Sequence, residues 1–136
     1  MAVAHICLDT DILIDHLRNQ TSVVTCIRRL EEEHAVLSTT AINAFELLYG
    51  AYKTQNKDQN VHATKALLER LALYEFDAQS AELAGEILAT LESAGQLIGF
   101  RDLFIGATAL VNNAQLLTRN TKHFQNVPGL QLRTLR

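Results

Sequence analysis

The sequence is short of several things: among 136 residues there is no tryptophan, one proline, six glycines and two cysteines. So little Pro and Gly, with no low-complexity tract, leaves no interdomain linker, and no self-similar period suggests a solenoid. Cys7 and Cys26 lie in apolar surroundings and form no CxxC pair, which excludes a disulfide framework and a cysteine zinc site and favours the cytoplasm. The run from Ala2 to Leu8 is too short for a signal-peptide core, lacks a basic flank and cleavage site, and meets Asp9 and Asp11. No apolar run approaches the roughly 20 residues that span a bilayer, so no membrane association is expected. There is no excess of positive charge either. Twelve Lys and Arg against fifteen Asp and Glu give −3, which by itself argues mildly against a polyanionic partner.

What remains is a chain that is 48% hydrophobic and 20% charged, enough for one domain over residues 1–136 with a sizeable core. Its pattern alternates short apolar runs with helical spacing. Val3 to Leu8 reads as a buried strand, followed by a helix from Ile12 to Leu17 and another from Val23 to Glu33. Ala35 to Ser38 is a second strand and Ala44 to Lys53 a helix. Thr54 to Asn60 reads as a turn, Ala63 to Leu71 as a helix and Leu73 to Phe76 as a third strand. Leu83, Ile87, Leu88 and Leu91 mark an amphipathic helix that Gly95 ends. Asp102 opens a helix that is apolar almost all round through Val111. Gln115 to Thr118 is a strand, and Gln131 to Leu135 an edge strand after the turn at Pro128 and Gly129. Strands separated by helices imply an α/β fold with a parallel sheet covered on both faces, and ligands in such sheets bind beyond the carboxyl ends of the strands.

Three acids are placed unlike surface charges. Asp9 is the first charged side chain in the chain, Glu46 is alone between Ala35 and Tyr52, and no charge follows Asp102 until Arg119. Each interrupts an apolar stretch, where an unpaired charge is costly. Asp9 ends the first strand, Glu46 lies one turn into the helix after the second, and Asp102 opens the helix before the fourth, so all three can meet at one sheet edge. Two carboxylates about 4 Å apart repel by roughly 4 kcal/mol at an effective dielectric near 20, so three together call for protonation or a cation. Mg²⁺ or Mn²⁺ is the natural partner, being a hard ion that takes oxygen ligands and leaves positions open for a phosphate. Structural alternatives stand beside this. Asp9 or Asp11 can cap the first helix, Asn43 and Glu46 have the Asn-x-x-Glu spacing of a capping box, and Asp102 suits a helix N-terminus.

The stretches LDTDILIDHL, STTAINAFELLYGA, GFRDLFIGATAL and LLTRNTKHF, containing Asp9, Glu46, Asp102 and Thr118 to Phe124, resemble in order the motifs of PIN-domain proteins, specifically VapC-type toxins. The resemblance spans nearly the whole chain. It implies a three-layer fold with a central, mainly parallel sheet flanked by helices. It also implies a Mg²⁺- or Mn²⁺-dependent endoribonuclease with Asp9, Glu46 and Asp102 as metal ligands, a VapB-type antitoxin partner and a homodimer. The fourth motif carries Asn120 where many PIN domains have an acid. Asn120 and Thr118 are therefore candidates for supporting catalytic roles, through a hydrogen bond to water or to a carboxylate. Asp11 is better read as a helix cap. Arg101, Arg119 and Lys122 flank the cluster and are candidates to hold RNA phosphates. His123 is near enough in sequence to approach the site. Tyr49 and Tyr52, on the helix of Glu46, suit core or dimer contacts.

Two other functions fit parts of the pattern. Asp9-Thr10-Asp11 at a strand end also matches the first motif of haloacid-dehalogenase-like phosphatases, with Asp9 as nucleophile, but that reading leaves Glu46 without a role. A non-catalytic PIN-fold interaction module, inactive through Asn120, is the other.

Overall fold

The computed structural model describes residues 3–135; Ala2, at the start of the first apolar run, lies outside them. Five strands, β1 (His5–Leu8), β2 (Val36–Thr40), β3 (Ala72–Tyr74), β4 (Gln115–Leu117) and β5 (Leu132–Arg133), form one sheet in the order β3-β2-β1-β4-β5. Every pairing is parallel. The helices are α1 (Thr10–Leu17), α2 (Thr21–Glu32), α3 (Ala41–Tyr52), α4 (Lys57–Glu69), α5 (Ala78–Ser93), α6 (Phe100–Val111) and α7 (Thr121–Phe124).

Alternation along β1 builds the three layers, because successive side chains of a strand point to opposite faces. Ile6 and Leu8 pack with Ile12, Leu13, Val23, Ile27, Leu47 and Leu67. Cys7, between them, faces Ile105, Ala109, Leu116 and Phe124. The middle of β1 is fully enclosed, with Ile6 and Cys7 both at 0% exposure, as expected of a parallel strand covered on both faces. Burial pushes the Cys7 thiol up to about 12, so it packs as a small apolar group. Both cysteines are free.

The topology fixes where a ligand can bind. From β1 the chain moves outward through β2 to β3, then crosses to the other side of β1 to lay down β4 and β5. The order reverses between β1 and β4, whose final residues Leu8 and Leu117 are in register. Asp9 and Thr118 therefore emerge side by side, and the Asp9 amide donates to the Leu117 carbonyl at 3.0 Å.

Several boundaries shift. The expected turn at 54–60 is shorter: α4 begins at Lys57, because Val61 and Thr64 continue the buried stripe of Leu67 while the polar residues of its first turn face solvent. β3 ends at Tyr74, leaving Phe76 to pack on Phe104 with ring centroids 4.5 Å apart. β5 is two residues rather than five. α7, a single turn, was not visible as a helix in the sequence; its Phe124 is fully buried beneath α6. Gly95 follows the C-terminus of α5 with φ +72°, the left-handed conformation that ends helices. No helix of the described residues is long and apolar enough to cross a membrane.

Candidate active site

Four segments meet at the carboxyl edge of β1 and β4. Asp9, completely buried, is the N-cap of α1, and its Oδ1 accepts from the Thr10 amide at 2.8 Å. Capping does not use up the side chain. Oδ1 also accepts from Asn43 Nδ2 at 3.0 Å and Arg101 Nη2 at 3.0 Å, and Oδ2 accepts from the Thr118 hydroxyl at 2.7 Å. A buried carboxylate is tolerable on such terms, with hydrogen bonds and a counter-charge replacing water.

Glu46 lies in the second turn of α3. It does not take part in a capping box: the N-cap is Thr40, whose hydroxyl accepts from the Asn43 amide while the Asn43 side chain reaches back to the Thr40 amide. The box leaves Glu46 free to project into the site. Its Oε1 accepts from the Thr10 hydroxyl at 2.5 Å, and Arg101 grips both oxygens, Nε to Oε2 at 2.6 Å and Nη2 to Oε1 at 3.0 Å. Burial would raise the Glu46 carboxyl, but the hydrogen bonds from Arg101 and Thr10 and the guanidinium charge outweigh it and hold the group below its usual value. Asp102, in the first turn of α6, accepts from Arg101 Nη1 at 2.6 Å.

The structure thus brings Asp9, Glu46, Asp102 and Thr118 together. It also moves Arg101 from the flank to the centre, where its guanidinium touches all three carboxylates; with the acids ionised, the cluster keeps two formal negative charges. Burial opposes the Arg101 charge, but the three acids, Glu46 foremost, make the guanidinium a stronger base than usual.

The remaining candidates sit elsewhere. Arg119 turns away from the cluster: its Nε donates to Asp15 at 3.0 Å and its Nη2 to Gln20 at 2.9 Å. Its backbone amide donates to Asp11 Oδ2 at 3.0 Å, and the exposed Asn120 donates to the same oxygen at 3.4 Å. Asn120 therefore touches Asp11 rather than the three acids. Its amide N–H does reach the Thr118 hydroxyl, at 3.0 Å. Burial and the neighbouring charge of Asp9 raise the Asp11 carboxyl. Lys122 is exposed on α7, and His123 Nδ1 lies 3.5 Å from Asp102 Oδ2 at the mouth of the site. Tyr49 and Tyr52 are not core residues; at 55% and 53% exposure they stand on the outer face of α3 with Phe45.

Two functional side chains escaped the sequence reading, Thr10 and Asn43. Asn43 Nδ2 donates to both Asp9 and Thr10, and Thr10 in turn donates to Glu46, so the pair ties the first acid to the second. The signal was present: Asn43 is a polar residue in a stretch otherwise apolar from Ala41 to Leu48 apart from Glu46, and it is 0% exposed.

The donor set suits a hard divalent cation, since the candidate ligands Asp9, Glu46 and Asp102 offer only carboxylate oxygens and already converge on one positive charge. As they stand around the guanidinium, no three acidic, histidine or cysteine side chains among the described residues are close enough to chelate an ion.

Comparison with known proteins places the chain in a family. The PIN domain family model matches residues 6–130, and the chain belongs to that family. Within it, the chain is 32% identical over 125 residues to ribonuclease VapC2 of Rickettsia felis, covering 92% of this chain and 93% of that one. It is 34% identical over 126 residues to ribonuclease VapC1 of Haemophilus influenzae strain R2866, covering 91% and 92%. Among solved structures, VapBC2 from Rickettsia felis bound to a promoter DNA fragment superposes with a TM-score of 0.87 at 30% identity, over 96% of this chain and 98% of that one. The dehalogenase-like reading falls with this result. That chemistry would also need Asp11 as an acid/base beside the Asp9 nucleophile, but Asp11 faces Arg119 and Asn120 instead of the reacting edge.

Proposed function

We infer that this chain is a PIN-domain endoribonuclease, the toxin of a toxin-antitoxin pair, that hydrolyses RNA phosphodiester bonds in the cytoplasm with Mg²⁺ or Mn²⁺. The observation that carries the reading is the convergence of Asp9, Glu46 and Asp102, from three distant segments, on a single cation at the sheet's switch point. These three residues would hold the ion, which when bound supplies Lewis acidity toward a phosphodiester and lowers the pKa of water. The chain's own part is orientation. Thr118 and Asn43 fix the two oxygens of Asp9, and Thr10 fixes Glu46, so the carboxylates are aimed before substrate arrives. Lys122, with Arg101 and Arg119 when released from their carboxylates, supplies phosphate contacts. Because Asn120 stands on Asp11, the missing fourth acid does not dismantle the cluster, which favours activity over a non-catalytic module.

An antitoxin of the VapB type is the proposed partner. A groove of about 320 Å³ between α1, α3 and α4, walled by Ile14, Leu17, Leu47, Ala51 and Ala63, runs up to Glu46, so a partner seated there would cover the site. The exposed aromatic stripe of Phe45, Tyr49 and Tyr52 on α3 is the proposed contact for a second copy.

The test is cleavage of a structured RNA; initiator tRNA is a suitable choice, since a Shigella flexneri relative 29% identical over 124 residues is named a tRNA(fMet)-specific endonuclease. Cleavage that requires Mn²⁺ or Mg²⁺ and disappears in Asp9→Asn and Glu46→Gln is expected. Cleavage persisting in both variants, or absent from the wild type with either ion, overturns the reading.

A further inference from the structure

The guanidinium of Arg101 occupies the position where the three acids converge. Nε and Nη2 form a fork on Glu46 at 2.6 and 3.0 Å, Nη2 also reaches Asp9 at 3.0 Å, and Nη1 reaches Asp102 at 2.6 Å. All three nitrogens are engaged, so the guanidinium is the counter-charge of the cluster. Two features prevent the guanidinium and a divalent ion from sharing this place. An ion of the Mg²⁺ class draws oxygens to about 2.1 Å, nearer than the carboxylates approach any guanidinium nitrogen, and two adjacent cations repel. In the arrangement around the guanidinium, moreover, no three acids among the described residues form a group that could hold an ion. Unlike Asp9, Arg101 has somewhere to go: its side chain is 35% exposed and belongs to the first turn of α6, at the rim of the site.

We propose that Arg101 is a resident counter-cation that holds the acidic cluster together when metal is absent and must be expelled for metal to bind, so that it sets the threshold of metal concentration at which the site loads. This rests on the metal-dependent reading above. Expulsion also releases a guanidinium suited to bidentate contact with phosphate, so one side chain closes the empty site and serves the loaded one.

Mn²⁺ titration by calorimetry and thermal melting of the whole chain tests this without reference to activity. Arg101→Gln keeps a polar side chain but removes the charge. It is expected to bind Mn²⁺ about tenfold more tightly than the wild type, to melt lower without metal and to gain more in melting temperature when Mn²⁺ is added. Arg101→Lys, which keeps the charge but cannot bridge three carboxylates, is expected between the two and serves if Arg101→Gln does not fold. Millimolar methylguanidinium should raise the metal-free melting temperature of the glutamine variant and weaken its Mn²⁺ binding. Equal or weaker Mn²⁺ affinity in the folded variants overturns the proposal while leaving the metal site standing. No Mn²⁺ binding by the wild type or either variant overturns both.

Discussion

Asp9 and Asp11 are separated by one residue at the start of α1, and each stands beside an arginine of a distant segment. Around Asp9 there are three carboxylates to one guanidinium, Asp9 is sealed from solvent, and each of its oxygens is fixed by hydrogen bonds from Thr10, Asn43, Arg101 or Thr118. Around Asp11 the contacts are a backbone amide and an exposed Asn120, while Arg119 reaches past it to Asp15 and Gln20 at the surface. Similar residue types therefore give two kinds of cluster. The first is enclosed and carries excess negative charge, which suits the divalent ion proposed for it. The second sets Asp11 and Asp15 against Arg119, one formal negative charge instead of two, lies at the surface, and stitches the β4–α7 connection onto α1. Surface pairs of this kind are worth about 0–1 kcal/mol, whereas removing one partner of a buried charged set costs several.

The largest difference should appear between Asp9→Asn and Asp11→Asn. The first is expected to abolish RNA cleavage and the rise in melting temperature on adding Mn²⁺, the second to preserve both. If Asp11→Asn loses the Mn²⁺ effect as completely as Asp9→Asn, the two clusters are one site and the contrast fails.

Much of this was legible because the acids break apolar runs. A charge in a run that must be buried has to meet a partner, and the strand-helix alternation sends Asp9, Glu46 and Asp102 to the same edge. Thr118 followed from its place at the end of β4. The position of Arg101 was not legible, since a long flexible side chain next to Asp102 in sequence can turn toward solvent or inward, and its fork on Glu46 depends on the tertiary placing of α3 against α6. For the same reason the Asn-x-x-Glu pattern misled: Thr40, at the last position of β2, takes the N-cap one turn earlier than that spacing suggests. Short elements were the other blind spot, as α7 is held by the burial of Phe124 rather than by helical propensity.

Asn43→Ala tests the enclosed cluster from its supporting shell. The side chain completes the α3 capping box and donates to Asp9 and Thr10. Its removal is expected to weaken Mn²⁺ binding about 10- to 100-fold, as loss of a residue that orients a metal ligand typically does, and to destabilise the fold by about 1–3 kcal/mol. Thr118→Val, which removes one hydrogen bond to Asp9 and leaves the helix cap intact, should weaken Mn²⁺ binding toward the lower end of that range with a smaller change in melting. Titration calorimetry alongside thermal melting separates the two. Equal Mn²⁺ affinity in wild type and both variants would mean that Asp9 is held well enough without them.

The open cluster should respond least, and Arg119→Ala and Asn120→Ala measure it. Each removes side-chain contacts made at the surface, so the loss of stability is expected to stay below about 1 kcal/mol and Mn²⁺ affinity to change by no more than about threefold. RNA binding should divide them. While Asp15 and Gln20 engage the Arg119 guanidinium, a phosphate must compete for it, so Arg119→Ala should weaken RNA binding less than Lys122→Ala does, and Asp15→Asn should strengthen it by freeing the guanidinium. Binding measured across a salt series with uncleaved RNA and no metal decides this. If Arg119→Ala flattens the salt dependence more than Lys122→Ala, Arg119 leaves Asp15 for phosphate without help, and the open cluster is a substrate contact rather than a stitch between α1 and the β4–α7 connection.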